Sequence, residues 1–355
     1  MLRPHESPSP NLNASPAEYK GLPGGLRGAT DAMRLILAPM EGVMDAIMRD
    51  LLTGLGGYDR CVTEFIRVSQ TVLPPRVFYR HCPELREGGL TASGTPVFVQ
   101  LLGSNPSLMA RNAQVAVNLG APGIDLNFGC PAKTVNKSHG GATLLKTPQA
   151  VSDVCRAVRD AVNPSIPVTA KIRLGYDHDE DFERIAAAVV EAGINELTVH
   201  ARTRRQGYRP PAHWHRLASI VQGCPIPVIA NGELWSPTDI HRCRQISGCE
   251  DVMLARGALC RPDLAQATRA VSQGISHSAL TWSDIVPMLR FFMHTNAAVY
   301  EQRYSLNPLK QWLVYLGAYY PQAAALFADV KRIKDFTEMD NRLTKIGASM
   351  EPRAA

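Results

Sequence analysis

The sequence predicts an α/β protein: a closed (β/α)8 TIM barrel followed by a small all-helical domain. From residue 35 to about residue 257, short apolar segments alternate with segments of helical period, which is the pattern of a parallel sheet covered by helices. After that point the pattern is helical only. The chain has 355 residues, enough for one barrel of about 250 residues and a smaller unit.

Eight segments have the length and apolar character of buried strands. The candidate strands are residues 35–38, 61–63, 97–101, 123–126, 168–172, 196–199, 227–230 and 251–254. An open, doubly wound sheet would give a similar series, so alternation alone does not decide between the two architectures. Polar residues or glycines follow all eight segments, whereas an open sheet would concentrate them near one switch point. This distribution favours the barrel, in which eight loops meet over one ligand.

Helical segments lie between the candidate strands, and several begin with a Ser, Thr or Asp cap. The clearest are residues 107–119, 148–162, 182–192 and 237–246. Four further helical segments, at 282–300, 308–318, 322–331 and after 334, predict a bundle. We therefore expect a barrel over residues 31–275 and a helical domain over 276–355. Residues 1–30 contain five prolines and no apolar core of a secretory signal, so we expect a disordered leader or an early start codon.

Composition limits the class of protein. Hydrophobic residues make up 45% of the chain and charged residues 20%, which suits a folded domain. The net charge of +6 permits a polyanionic partner without requiring one. The eight cysteines form no C-x-x-C pair, and the apolar runs are too short to span a membrane. We expect a cytoplasmic monomer without a membrane segment.

The segment DLNFGCP, residues 125–131, places one thiol in a polar loop directly after the fourth strand. A buried cysteine is usually a small apolar residue, and we interpret the other seven cysteines in that way. Cys130 differs because it follows the carboxyl end of a barrel strand, where catalytic groups gather. The neighbouring glycines leave room for a flat ligand to approach the backbone. Cys130 is therefore the candidate catalytic residue.

Six ordered blocks together resemble the tRNA-dihydrouridine synthases. They are LAPMEG at 37–42, NFGCP at 127–131, KIRLG at 171–175, HART at 200–203, IANG at 229–232 and RGA at 256–258. The likeness extends from about residue 34 to residue 331. Residues 61–67, 206–209 and 309–313 resemble the C-type bacterial subfamily. This resemblance implies an oxidoreductase that uses FMN, with NADPH or NADH as reductant, to reduce uridine to 5,6-dihydrouridine in the tRNA D loop, at position 16.

The resemblance also implies roles for single residues. Cys130 would protonate C5 of the uracil after hydride transfer from flavin N5 to C6, and an ordinary thiol is mostly protonated at pH 7. Lys171 would lie beside the flavin pyrimidine, and Arg256 would bind its phosphate. His200 either holds a ligand or is a structural core residue. The residues expected to bind the cofactor are Pro39, Met40, Glu41, Gln100, Lys171, His200, Asn231, Gly232, Glu233, Ala255 and Arg256.

A basic and aromatic set flanks the predicted pocket. The residues expected to contact tRNA are Arg67, Asn127, Arg202, Arg205, Tyr208, Lys310, Tyr315 and Lys331. A run of charge is usually a solvated face, but these residues lie on two sides of one pocket, which favours phosphate contact. Three positions depart from the pattern of the family: His139 replaces a glycine, Pro308 a basic residue and Lys331 an arginine.

Other functions fit less of the sequence. His213 and His215 could suggest a metal pair, but no third ligand has zinc spacing, and we expect no metal. A small-molecule FMN oxidoreductase could share the barrel and Lys171. A non-catalytic RNA-binding protein could use the same scaffold. The arginine-rich loop and the helical segments argue against the former, and a yellow colour of the purified protein would argue against the latter.

Overall fold

A computed structural model of the chain describes residues 33–132, 140–301 and 304–348. The expected leader and His139 lie outside the described residues. The described residues form a barrel of parallel strands surrounded by helices, and a helical region follows it. The predicted fold class is therefore confirmed.

The barrel closes through neighbouring parallel strands. The strands are β1 (Leu35–Leu37), β2 (Arg60–Val62), β3 (Ile66–Arg67), β4 (Val97–Leu102), β5 (Ile124–Asn127), β6 (Val168–Arg173), β7 (Glu196–His200), β8 (Val228–Asn231) and β9 (Asp251–Leu254). β1 pairs with β9 and β2, and the pairing of β2 with β4 closes the ring. All eight predicted strands are confirmed to within one residue. β3 resumes after β2 and pairs with the far end of β4; two residues are too few to show a period.

Nine helices accompany the barrel in the described residues. They are α1 (Ala46–Gly54), α2 (Pro75–His81), α3 (Pro106–Asn118), α4 (Pro148–Ala161), α5 (Phe182–Glu191), α6 (Ala218–Val221), α7 (Pro237–Ser247), α8 (Arg256–Cys260) and α9 (Leu264–Ser272). The helical region holds α10 (Trp282–Val299), α11 (Asn307–Leu316), α12 (Pro321–Val330) and α13 (Phe336–Ala348). None of the helices described here is long and apolar enough to cross a membrane.

Capping residues fix where several helices begin after the strand ends. The side chain of Asp45 accepts a hydrogen bond from the Met48 amide at the start of α1, at 2.9 Å. Ser236 caps α7 through the Asp239 amide, at 3.1 Å, and Pro237 supplies the first helical residue. These caps keep the βα loops short, so the residues that follow each strand stay near the barrel mouth.

Ion pairs fill the amino-terminal end of the barrel. The buried Glu196 carboxylate accepts from Arg34 and from Arg60, the latter at 2.6 Å. Arg34 also pairs with Asp251, and the Arg60 guanidinium lies over the Phe98 ring, 4.3 Å from its centre. Since this end is filled by paired side chains, a ligand must enter from the carboxyl ends of the strands.

The helical region packs on that carboxyl side of the barrel. Trp312 of α11 is fully buried, and its indole N–H donates to the Leu259 carbonyl at 3.1 Å. The Tyr300 hydroxyl, just after α10, donates to the Asp45 carboxylate of the β1–α1 loop at 2.8 Å. These contacts bring α11 to the mouth of the barrel, where Tyr315 reaches the cavity described next.

Candidate active site

A cavity of about 510 Å³ opens at the carboxyl ends of the strands. Every residue expected to bind the cofactor lines it, and so do Cys130, Asn127, Tyr208 and Tyr315. Side chains that we did not single out as site residues also contribute to its walls, among them Phe65, Arg173, Leu234, Trp235 and Met253. Arg173 was within the KIRLG block, and its place at the end of β6 is the signal that could have identified it.

The loop that carries the thiol is held by one asparagine. The Asn127 side-chain oxygen accepts hydrogen bonds from the backbone N–H groups of Gly129, at 2.9 Å, and Cys130, at 3.0 Å. Arg173 binds the same loop, because its Nε donates to the Gly129 carbonyl at 2.7 Å. Asn127 therefore shapes the thiol loop, and its amide nitrogen supplies a further contact to the barrel wall.

That contact belongs to a buried chain of hydrogen bonds. Asn127 Nδ2 donates to Gln100 Oε1, and Gln100 Nε2 donates to Asp125 Oδ2, both at 2.7 Å. The Thr169 hydroxyl donates to the other Asp125 oxygen at 2.6 Å. The nitrogen and the oxygen of the Gln100 amide thus have one protein partner each. The nitrogen retains one N–H and the oxygen retains one lone pair. The amide is fixed in orientation and can still bind a ligand edge.

The Cys130 thiol is half-buried in the cavity wall. Burial raises its pKa above the ordinary value, and the nearby Glu41 carboxyl adds to the shift. The thiol is therefore protonated at neutral pH. No disulfide joins the eight cysteines, which all lie within the described residues, and the other seven do not line the cavity.

Glu41, which lies in the cavity wall, and Glu64 both have a raised pKa. The Glu64 carboxylate accepts from the Val43 amide at 3.0 Å, and burial together with the charge of Glu41 raises the pKa of Glu64 to about 7. Burial also raises the pKa of Glu41. Neither rise in pKa could be predicted, because sequence alone does not show the depth of a carboxyl group.

Lys171 places a buried ammonium in the cavity wall. Its ammonium donates to the Asn231 side-chain oxygen at 3.0 Å, and the Asn231 amide donates to the Met253 carbonyl at 2.8 Å. Burial, together with the positive charge of Arg173, lowers the pKa of Lys171 to about 8. Its hydrogen-bond partner is a neutral amide, so most of its charge can act on a bound ligand.

His200 is buried at the end of β7 and is uncharged. Its Nε2 lies 3.2 Å from Nη1 of Arg202. Burial is the main reason that the pKa of His200 lies well below the ordinary value, and the charges of Arg173 and Lys171 lower it further. The ring lines the cavity, which is the position that a ligand-binding role requires.

Glycine is required at two places where the backbone approaches closely. A Cβ atom at Gly257 would lie 2.0 Å from the Leu234 carbonyl oxygen. A Cβ atom at Gly232, where φ is +119°, would lie 2.9 Å from the His200 ring. Between these segments the Arg256 guanidinium lies over Trp235, 4.9 Å from the ring centre. The result is a cationic end of the cavity with closely packed backbone.

The residues expected to contact tRNA differ in how far they are exposed. Tyr208 is 54% exposed at the cavity rim, and Arg67, Arg205 and Lys331 are exposed outside the cavity. Lys310 is partly buried and its ammonium donates to the Ile333 carbonyl.

Arg202 differs from these residues, because its side chain has no exposed surface. It pairs with Glu233 at 2.6 Å and donates to the Arg209 carbonyl at 2.7 Å. The structure thus buries an arginine that the sequence suggested for the surface, and its contacts hold two loops together.

His213 and His215 belong to no cluster of metal ligands in the part of the chain that the structure describes. Among residues 33–132, 140–301 and 304–348, no three His, Cys, Asp or Glu side chains are arranged to hold a metal ion. His213 Nε2 instead lies 3.1 Å from the Gln206 side-chain nitrogen. The ring therefore helps to order the loop after β7.

Comparison with known proteins places the chain in a family. The family model described as dihydrouridine synthase (Dus) matches residues 36–349. The tRNA-dihydrouridine(16) synthase of Pseudomonas putida is 49% identical over 311 residues, covering 88% of this chain and 96% of that protein. The protein of the same name from Shewanella oneidensis is 47% identical over 307 residues, 86% of this chain and 96% of that protein.

A solved structure supports the fold alone. A 2-naphthoyl-CoA reductase in complex with 2-naphthoyl-CoA superposes with a TM-score of 0.53 at 12% identity, covering 71% of this chain and 51% of that chain. The family match, by contrast, includes nearly all of the described barrel and helical region. On the extent of that match and on the identity of its relatives, the chain belongs to the dihydrouridine synthase family.

Proposed function

We propose that this protein reduces a uridine of tRNA to 5,6-dihydrouridine in the cytoplasm, at position 16 of the D loop. FMN is the bound cofactor and NADPH or NADH is the reductant. The observation that carries the proposal is the pairing of a protonated thiol and a buried cation in one cavity. Cys130 follows β5, Lys171 lies on β6, and the two strands are in register at Asn127 and Lys171.

The residues of the cavity fit a flavin mononucleotide. A volume of about 510 Å³ lies in the range of sites for ligands of this size. Lys171 would face the electron-rich edge of the ring system, and Gln100 offers one donor and one acceptor. Arg256 and the close backbone at Gly232 and Gly257 suit a phosphate. When bound, the flavin supplies the hydride that the uracil accepts.

Cys130 supplies the proton. Addition of hydride at C6 leaves negative charge on C5 and O4 of the uracil, and a protonated thiol can transfer its proton to C5. Burial keeps that proton on Sγ until the transfer, because it disfavours the thiolate. Asn127 and Arg173 hold the backbone on either side of the thiol and so define its position. Solvent then returns a proton to the sulfur.

The barrel rim and the helical region would bind the tRNA. We propose that residues 31–275 carry the chemistry and that residues 276–355 form the RNA platform. A uridine within folded tRNA must leave its stack to reach the cavity, and Tyr208 and Tyr315 can contact the displaced base. Because all targets are the same uracil, the choice of position 16 depends on docking through phosphates. Arg67, Arg205 and Lys331 have the exposure that such contacts need.

Deletion of the gene, followed by position-by-position sequencing of dihydrouridine in tRNA, tests this proposal. The expected result is loss confined to position 16 and its return with the wild-type gene but not with Cys130→Ala. Loss at position 20 with position 16 intact would contradict the docking assignment. Unchanged dihydrouridine at all positions would contradict the function itself.

A further inference from the structure

Three contacts hold the buried Arg202 side chain. Its guanidinium meets the Arg209 carbonyl, the Glu233 carboxylate and Nε2 of His200, at 2.7, 2.6 and 3.2 Å. The side chain has no exposed surface. These contacts leave it no access to an external phosphate, so its function must be exerted through the residues that it touches.

The contact with His200 has only one possible direction. A guanidinium has five N–H donors and no acceptor, so the imidazole Nε2 must accept the hydrogen bond. A ring nitrogen that accepts carries no proton. The buried ring is also neutral, since burial and four neighbouring cationic side chains lower its pKa. The single ring proton must therefore be on Nδ1.

The packing of the ring leaves Nδ1 on the side away from the loop after β8. A Cβ atom at Gly232 would lie 2.9 Å from Cδ2 and 3.3 Å from Nε2 of His200, so this edge of the ring lies against the β8 loop. Nδ1 is on the opposite side of the ring. In the described part of the chain Nδ1 has no hydrogen-bond partner, and His200 lines the cavity.

Glu233 keeps Arg202 in place. One Glu233 oxygen pairs with Arg202, and the other accepts from the Ala212 amide at 2.6 Å. Glu233 has a φ of +55°, in the left-handed region that a non-glycine residue seldom adopts. The two interactions stabilise this conformation and join the loop after β7 to the loop after β8.

We propose that Arg202 is a positioning residue that fixes His200 as its Nδ1–H tautomer, so that the imidazole presents one hydrogen-bond donor to an acceptor oxygen of the ligand in the cavity. The ligand class rests on the proposed function, whereas the tautomer rests on the protein contacts alone. In this state the only ring lone pair is used by Arg202. His200 therefore binds ligand without exchanging a proton with it, and the uracil proton must come from elsewhere, as from Cys130.

The tautomer can be measured directly in the full-length protein as purified. Two-bond ¹H–¹⁵N correlation spectra of histidine-labelled protein at pH 7 distinguish a protonated from an unprotonated ring nitrogen, and His200→Gln assigns the signal. We expect His200 to show a protonated Nδ1 and an unprotonated Nε2. A proton on Nε2, or on both nitrogens, would overturn the proposal. The measurement requires no tRNA, so a protein that fails to reduce uridine would refute the proposed function and leave this result standing.

Variants test whether Arg202 sets the tautomer. Arg202→Met should allow the Nε2–H form and weaken flavin binding about tenfold, as expected for one hydrogen bond. Arg202→Lys, which keeps a donor, should retain the Nδ1–H form and more of the affinity. Arg216→Met removes an arginine that pairs with Asp179 and should change neither result. An unaltered tautomer in Arg202→Met would contradict the role of Arg202. If that variant does not fold, loss of the Nδ1–H form in Arg202→Lys would contradict it.

Discussion

The ammonium of Lys171 lies 3.0 Å from the side-chain oxygen of Asn231, and the amide of Asn231 is fixed by its bond to the Met253 carbonyl. The lysine is thus held at the end of β6 by a neutral group of β8. A carboxylate in that place would neutralise the ammonium. An amide orients it and leaves its charge to attract an electron-rich or anionic ligand group.

Flavin affinity should fall as pH rises through about 8. The pKa of Lys171 is lowered from 10.5 to about 8 mainly by burial, so the ammonium is present below that pH and lost above it. In the unfolded chain Lys171 keeps its ammonium up to about pH 10.5. Burial of the ammonium therefore lowers the free energy of unfolding below pH 8, and this penalty disappears by pH 10.5. Fluorescence titration of flavin from about pH 7 to pH 9 measures the effect.

Lys171→Met should bind flavin more weakly below pH 8 and lose this pH dependence. Lys146→Met, which removes an exposed lysine outside the cavity, should keep the wild-type profile. An identical fall with pH in the wild-type protein and in Lys171→Met would show that another group is responsible.

Asp125→Ala should destabilise the protein and disturb the thiol loop. The change leaves Gln100 and Thr169 without their buried partner, which would lower the free energy of unfolding by roughly 1–3 kcal/mol. Since Gln100 also orients Asn127, the rate of uridine reduction should fall in folded protein. Urea unfolding and turnover under stabilising conditions measure the two effects. Asp153→Ala, at an exposed site on α4, serves as the control. Equal free energies of unfolding for Asp125→Ala and Asp153→Ala would refute the role of Asp125 as a buried hydrogen-bond partner.

Lys331→Ala should weaken tRNA binding without altering flavin binding. If Lys331 contacts one phosphate, its removal should reduce the slope of log affinity against log salt by about 0.7 to 0.9. Binding of tRNA measured at several salt concentrations gives that slope. Arg184→Ala removes an exposed arginine that pairs with Asp181 at 2.7 Å and should retain the wild-type slope. A slope unchanged by Lys331→Ala would remove this residue from the RNA surface.

The sequence was sufficient for eight of the nine strands and for many of the residues that line the cavity. A buried strand is a short apolar run, and parallel strands bring their carboxyl ends together, so Gln100, Lys171 and Asn231 could be assigned to one place from their positions alone. β3 could not be predicted, because two residues show no period. The depth of a charged side chain was also beyond the sequence: Arg202 is buried because the loops after β7 and β8 fold over it.

The role of Cys130 as proton donor can be measured by comparing Cys130→Ala with the wild-type protein on tRNA that lacks dihydrouridine. Both should retain flavin and accept electrons from NADPH, since the thiol is needed only for protonation. Dihydrouridine formation, followed by mass spectrometry of the tRNA, should be slower in the variant by roughly 10²-fold or more. Cys224→Ala, which changes a cysteine outside the cavity, should match the wild-type rate. Near-normal formation of dihydrouridine by Cys130→Ala would show that Cys130 is not the proton donor.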